Sequence, residues 1–292
     1  MRWRQGRRST NVEDTRGMGP GRRGARGGGG GGMKVGGGAG IILLLLGLFF
    51  GTDLTGLLGG GGGSSQVAQR PQLSPGAAGQ VRGDDEAKAF VSTMLAYNED
   101  VWAKLFQQNG KQYQVPKLRI FDGGVNSACG YTSSAAGPFY CPGDSKVYID
   151  LNFFRELQRM GAGGDFAQAY VLAHEVGHHV QNLLGVSMAV QRRQRSVSKT
   201  DANHLSVLTE LQADCYAGVW AHHAHKDNQL LEPGDLEEGM NAAAKIGDDA
   251  LMSRAGARIR PEAFTHGSSR QRQEWLYRGL NTGDPNQCDT FN

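Results

Sequence analysis

Residues 165–185 read DFAQAYVLAHEVGHHVQNLLG, and this stretch decides the fold. Val171, Val176, Val180, Leu183 and Leu184 give it an apolar face at helical spacing, with Asp165 as an acidic N-cap candidate and Gly185 as a stop. Inside it stand His174, Glu175 and His178. Residues four apart on a helix project from one face, so both imidazoles can reach a single ion. Neutral imidazole ligates zinc, and a catalytic zinc takes three protein ligands and keeps one position open for water. Glu175 falls beside the metal, where a carboxylate can take a proton from water. A polar triplet within so apolar a helix is costly unless it is used.

The third ligand should come from another element. Glu210 and Asp214, in ELQAD, are again four apart on a predicted second long helix through NHLSVLTELQADCYAGVWAHHA. Glu210 is the candidate ligand. Asp214 is the candidate partner for the far nitrogen of His174, a contact that fixes the tautomer and raises ligand basicity. Alone, the pair would read as two solvated helix acids; some 30 residues after the His pair it reads as part of a site. His179 is one step round the helix from His178 and should point elsewhere. The group His222, His223 and His225 reads as a helix end.

Around these helices the pattern is mixed. Residues 84–110 look helical, strands are expected near Leu118–Phe121 and Val147–Leu151, and the Cys129–Cys141 stretch between them reads as a loop. Shorter helices are expected near Leu236–Ile246 and Ser269–Gly279. Few strands and many helices give an α+β class, mostly helical with a small sheet. Val147–Leu151 is a candidate edge for an extended peptide. His266, with Arg270 nearby, and Tyr148 are candidate oxyanion stabilisers.

HExxH followed by ExxxD is similar to the Glu-zincin metallopeptidases. The stretches MRWRQGRRSTNVED, CGYTSSAAGPFYCP, KVYIDLNFF, HEVGHHVQNLLG, ELQADCYAGVW, AAAKIGDD, FTHGSSRQR and CDTFN resemble a bacterial family of neutral zinc metallopeptidases, over nearly the whole chain. The resemblance implies a zincin-like domain, one zinc per chain on His174, His178 and Glu210, and Glu175 as general base and acid. It implies peptide substrates without naming them. The departures are a Gly/Arg expansion near the amino terminus and the AHHAHK segment.

Outside the domain the composition splits. Residues 1–82 hold 11 Lys/Arg against three acids, a net of +8, and 25 of the 45 glycines. Residues 83–292 carry a net of −5. A uniformly basic nucleic-acid binder is excluded. Glycine loses the most backbone entropy and buries no side chain, so residues 1–34 are expected as a disordered basic segment outside the fold. Residues 35–52, VGGGAGIILLLLGLFFGT, carry no charge. As a helix they would span roughly 27 Å. With the basic flank before them they read as an uncleaved signal anchor, amino terminus in the cytoplasm. Residues 53–82 are expected as a flexible linker and 83–292 as the metallopeptidase domain. The expected location is the bacterial inner membrane, single-pass, with the domain extracytoplasmic. An even count of four cysteines there favours disulfides, Cys129 with Cys141 and Cys215 with Cys288. Two other readings stay open. One is a membrane-tethered zincin-fold scaffold without turnover; the other is RNA binding through the Arg/Gly tract, which would show steep salt dependence.

Overall fold

The computed structural model describes residues 1–17 and 77–292. The elements are β1 (Val12–Asp14), α1 (Ala77–Gln108), β2 (Lys117–Ile120), β3 (Gly124–Ser127), β4 (Gly130–Ser133), β5 (Phe139–Cys141), β6 (Lys146–Ile149) and α2 (Asn152–Arg159). After these come α3 (Asp165–Leu183), α4 (Val186–Gln194), α5 (Lys199–Asn228), α6 (Asp235–Lys245), α7 (Asp248–Arg254) and α8 (Ser269–Thr282). The fold is mostly helical α+β. A four-stranded sheet has the order β1-β2-β6-β5, with β1–β2 and β2–β6 parallel and β5–β6 antiparallel. β3 and β4 form a separate hairpin.

Several expectations are corrected. The loop expected between the two strands holds the β3–β4 hairpin and β5. Its Gly/Ser-rich composition hides the strands, because backbone pairing here carries little side-chain burial. β6 lies between β2 and β5, so Val147–Leu151 is no sheet edge. α1 begins at Ala77, inside the expected linker 53–82. The amino-terminal correction is larger. Residues 1–17 of the segment expected outside the fold are built into it: Met1 and Trp3 are buried, and β1 pairs with β2 through Val12↔Leu118 to Asp14↔Ile120.

This strap holds because almost every charge on it meets its opposite. Arg7, Ser9 and Asn11 all bond to the buried Glu99 of α1. Glu13 sits among Arg119, Lys146 and Lys117, and Asp14 meets Arg16 and Lys88. Burial would raise the Glu13 pKa, but Lys146 and Arg119 hold it down at about 2. The Met1 ammonium lies 2.9 Å from Asp165 and 3.1 Å from Glu232.

The apolar stretch 35–52 lies outside the described residues. Among the described residues, no helix is long and apolar enough to cross a membrane. Cys129 pairs with Cys141, and Cys215 with Cys288. The second pair ties the carboxyl-terminal segment to the middle of α5.

α3 and α5 form the centre of the helical layer, and α8 packs closely on α5. A Cβ at Gly177, inside the HEVGH stretch, would come 3.0 Å from the Ala213 carbonyl oxygen. The missing side chain lets the two helices touch where His174, His178 and Glu210 must meet. Gly279 does the same for α8: a Cβ there would collide with the Cys215 carbonyl.

Candidate active site

The turn of α3 that carries His174 and His178 faces the turn of α5 that carries Glu210 and Asp214. His174 Nε2 lies 3.1 Å from Glu210 Oε2, and His178 Nε2 lies 3.4 Å from Glu210 Oε1. One donor atom from each residue falls within 4.8 Å of the others. Zinc bonds of ~2.0–2.1 Å at tetrahedral angles put neighbouring ligand atoms roughly 3.3 Å apart. The spacing and the His₂Glu donor set therefore fit a zinc ion.

The far nitrogens are fixed. His174 Nδ1 donates to Asp214 Oδ1 at 2.8 Å, and His178 Nδ1 donates to Gln181 Oε1 at 2.8 Å. Both contacts occupy Nδ1, so each ring turns Nε2 towards Glu210, where it would offer a lone pair to a metal in exchange for its proton. Gln181 in turn donates to Gln212 Oε1, and Gln212 donates to the Cys288 carbonyl. A chain of amides thus links one imidazole to the second disulfide.

Asp214 is fully buried and accepts four hydrogen bonds. Besides His174 it takes Tyr170 Oη at 2.6 Å, and Arg272 at 2.8 Å (Nε) and 2.9 Å (Nη2). Burial would raise its pKa, but the Arg272 guanidinium and His174 hold it below the usual carboxylate range. Burial likewise disfavours an imidazolium at His174, yet Asp214 and Glu210 raise its pKa to about 10. Glu210 is held well below the ordinary value, with His178 and His174 outweighing desolvation. Glu175 goes the other way: burial raises its pKa. Among the described residues its carboxylate has no hydrogen-bond or ion-pair partner. A carboxylate with a raised pKa and no partner is suited to shuttle a proton.

His266 approaches from the segment before α8. Its Nδ1 lies 3.1 Å from Asp248 Oδ1, while Asp248 Oδ2 accepts the backbone N–H groups of Thr265, His266 and Gly267. Asp248 thus pins both the loop and the ring, leaving Nε2 free. Burial would lower the His266 pKa, but Asp248 and Glu210 raise it.

Other candidates go elsewhere. Tyr148 is buried, donates to Asp144 and stacks on Phe139, so its hydroxyl is already engaged. Arg270 is exposed and pairs with Glu274, so it is no oxyanion stabiliser. Asp165 is the first residue of α3 and not its cap. Gly164 occupies the cap position, and Glu238 of α6 accepts the Phe166 N–H. His179 bonds to Tyr140 and to the Gln114 carbonyl; His222 and His223 bond to the carbonyls of Leu280 and Gly283. Arg272, Asp248 and Tyr170 are site residues that sequence reasoning missed. All lie within or beside the stretches AAAKIGDD, FTHGSSRQR and the α3 helix, yet neither spacing nor residue type sets them apart.

An HExxH helix crossed by a helix that brings one carboxylate to the two imidazoles forms a candidate metal site of the His₂Glu type. The chain belongs to the family described as "Putative neutral zinc metallopeptidase", whose model matches residues 1–291. It is similar to "Uncharacterized protein YpfJ" of Escherichia coli (strain K12), 46% identical over 293 residues, covering 100% of this chain and 99% of that protein. It is also similar to "Uncharacterized protein Mb2605" of Mycobacterium bovis, 42% identical over 238 residues, covering 76% and 78%. No solved structure matches.

Proposed function

We propose that this chain is a zinc-dependent endopeptidase with His174, His178 and Glu210 as ligands and Glu175 as general base and acid. The convergence of the three donor atoms beside a buried, unpartnered Glu175 carries this reading. When bound, zinc supplies Lewis-acid polarisation of the scissile carbonyl and lowers the pKa of water towards neutrality. Glu175 takes the proton of the attacking water and delivers it to the leaving amine. His266, protonated and oriented by Asp248, donates a hydrogen bond to the developing oxyanion. Asp214 keeps the His174 tautomer fixed, and Arg272 keeps Asp214 ionised.

Zinc analysis and a mixed-peptide digest test this on the full-length chain, wild type against Glu175→Gln. About one zinc per chain is expected in both proteins. Peptide cleavage should fall about 10²–10⁴-fold in the variant. Equal cleavage by the two, or none by the zinc-loaded wild type, overturns the assignment. The second outcome leaves the silent scaffold.

Residues 35–52 are further proposed to hold the protein at a membrane, with the domain outside the cytoplasm. Two disulfides support that compartment. The pairing of β1 with β2 supports residues 1–17 on the same side as the domain, and so attachment with both flanks on one side in place of the single crossing expected from the sequence. Arg4→Cys and Tyr277→Cys place thiols at exposed positions. An impermeant maleimide should label both in intact spheroplasts; labelling of only one restores the crossing.

A further inference from the structure

The first two turns of α5 and the chain from 261 to 271 enclose an open cleft of about 540 Å³. Its floor is apolar: Val207 and Phe264, which pack with Leu211 and Met252. Its walls are pinned at both ends. Asn203 Nδ2 donates to the Glu262 carbonyl at 3.1 Å. At the other end Gly267, with φ +94°, comes so close that a Cβ would lie 3.1 Å from Leu211 and 3.4 Å from Val207. His204, Asp201 and Glu262 stand at the mouth, all exposed. Ser198 Oγ donates to one Asp201 oxygen. Among the described residues, neither the Asp201 nor the Glu262 carboxylate is in an ion pair. Elsewhere on this chain exposed acids such as Glu86, Asp100 and Glu274 have arginine partners.

The cleft also lies in register with the metal site. Val207 and His204 precede the ligand Glu210 by three and six residues on one helix. At 1.5 Å per residue that is roughly 4.5 and 9 Å along the axis. An extended peptide advances about 3.3 Å per residue, so the cleft falls about one to three residues from the bond at the metal. Resting on the peptidase reading above, we infer that this cleft is a specificity subsite for a lysine or arginine side chain of the substrate. The aliphatic stem lies on Val207 and Phe264, and the cationic head lies between Asp201 and Glu262. Long basic side chains partition in that way, burying the methylenes and keeping the charge at the water interface. Selectivity then comes from two carboxylates that gain a partner with a basic side chain and repel an acidic one.

Mapping cleavage sites in a zinc-loaded digest of a degenerate peptide mixture tests the subsite, with the full-length wild type beside Asp201→Lys/Glu262→Lys. Lys and Arg should be enriched about tenfold at one position within three residues of the cut. The double variant should lose that enrichment and favour Asp or Glu there. No enrichment in the wild type, or the same enrichment in the variant, overturns the inference. A binding arm keeps the test independent of turnover. Zinc-loaded Glu175→Gln should retain lysine-containing peptides from the mixture about tenfold better than their norleucine counterparts, and adding Asp201→Lys/Glu262→Lys should abolish the difference. Equal retention overturns the subsite even if cleavage occurs. Absence of cleavage with selective retention overturns the peptidase reading and keeps the subsite.

Discussion

The amino-terminal strap and the metal site both bury acids, but they treat them in opposite ways. On the strap, Glu13 has three cationic neighbours, Asp14 has two, and Glu99 takes Arg7 together with two neutral donors. At the metal site, Glu175, Glu210 and Asp214 face one guanidinium, that of Arg272, which bonds to Asp214 alone of the three. Three carboxylates against one arginine leave two negative charges beyond the guanidinium; without a metal they hold protons on the imidazoles, and a divalent cation would take the place of those protons. Buried charge that is already paired serves structure; buried charge left over marks a place where something binds.

Removing a ligand should separate the two regions most sharply. Glu210→Ala is expected to reduce zinc from about one per chain to near zero and to abolish peptide hydrolysis, whereas Glu13→Gln should leave both intact. Normal zinc in Glu210→Ala would dissolve the contrast. Next comes the single cation of the site. Arg272→Met strands a fully buried carboxylate and should lower unfolding free energy in urea by about 3–5 kcal/mol. Arg7→Met, at a half-exposed pair, should cost below about 1 kcal/mol; equal losses would show that the two regions pair their charges alike. Replacing Cys215 and Cys288 together by Ala opens a span of 73 residues. The loop-entropy relation puts that loss at about 4 kcal/mol, read by the same urea titration.

Smaller effects sharpen the strap. Glu13→Gln should cost about 1–2 kcal/mol at pH 7, since hydrogen bonds to charged groups are lost. The folded pKa of Glu13 is lowered from 4.5 to about 2. Its stabilisation is therefore complete above 4.5 and disappears as pH falls towards 2, so the wild-type and variant stability curves should converge there. Asp248→Asn returns to the candidate site with an effect of similar size. Asp248 raises the His266 pKa, so the imidazolium persists to higher pH with Asp248 than without it. The variant should move the alkaline limb of kcat to lower pH and lose about fivefold at pH 8, roughly 1 kcal/mol. An unmoved limb would take His266 out of oxyanion stabilisation.

The helices with strong periodicity were legible. α3 runs from Asp165 to Leu183 with Gly185 just beyond it, close to the expected span, and α6 and α8 begin within a residue of their expected starts. His174, His178, Glu210 and Asp214 could be grouped because helical spacing alone puts each pair on one face. Arg272 could not. A lone arginine in SRQRQEW reads as solvated, and only the close packing of Gly279 on Cys215 brings that face of α8 against Asp214. Asp248 was hidden for the same reason, since its partners are backbone amides of a segment 17 to 19 residues away. The strap was misread because arginine and glycine resemble disorder until the matching acids on α1 and the lysines on β2 and β6 are placed in space. β1 has three residues, too few to show alternation.

The pairing of β1 with β2 also sets a timetable. Thr15 bonds to the carbonyl of Ile120, 105 residues later. At about 5–20 residues per second the ribosome needs roughly 5–20 s to supply that partner. During that interval the first residues of the protein wait unpaired. Arg2, Arg4, Arg7, Arg8 and Arg16 repel one another on the nascent chain, and most of these charges become the contacts that fasten the finished one.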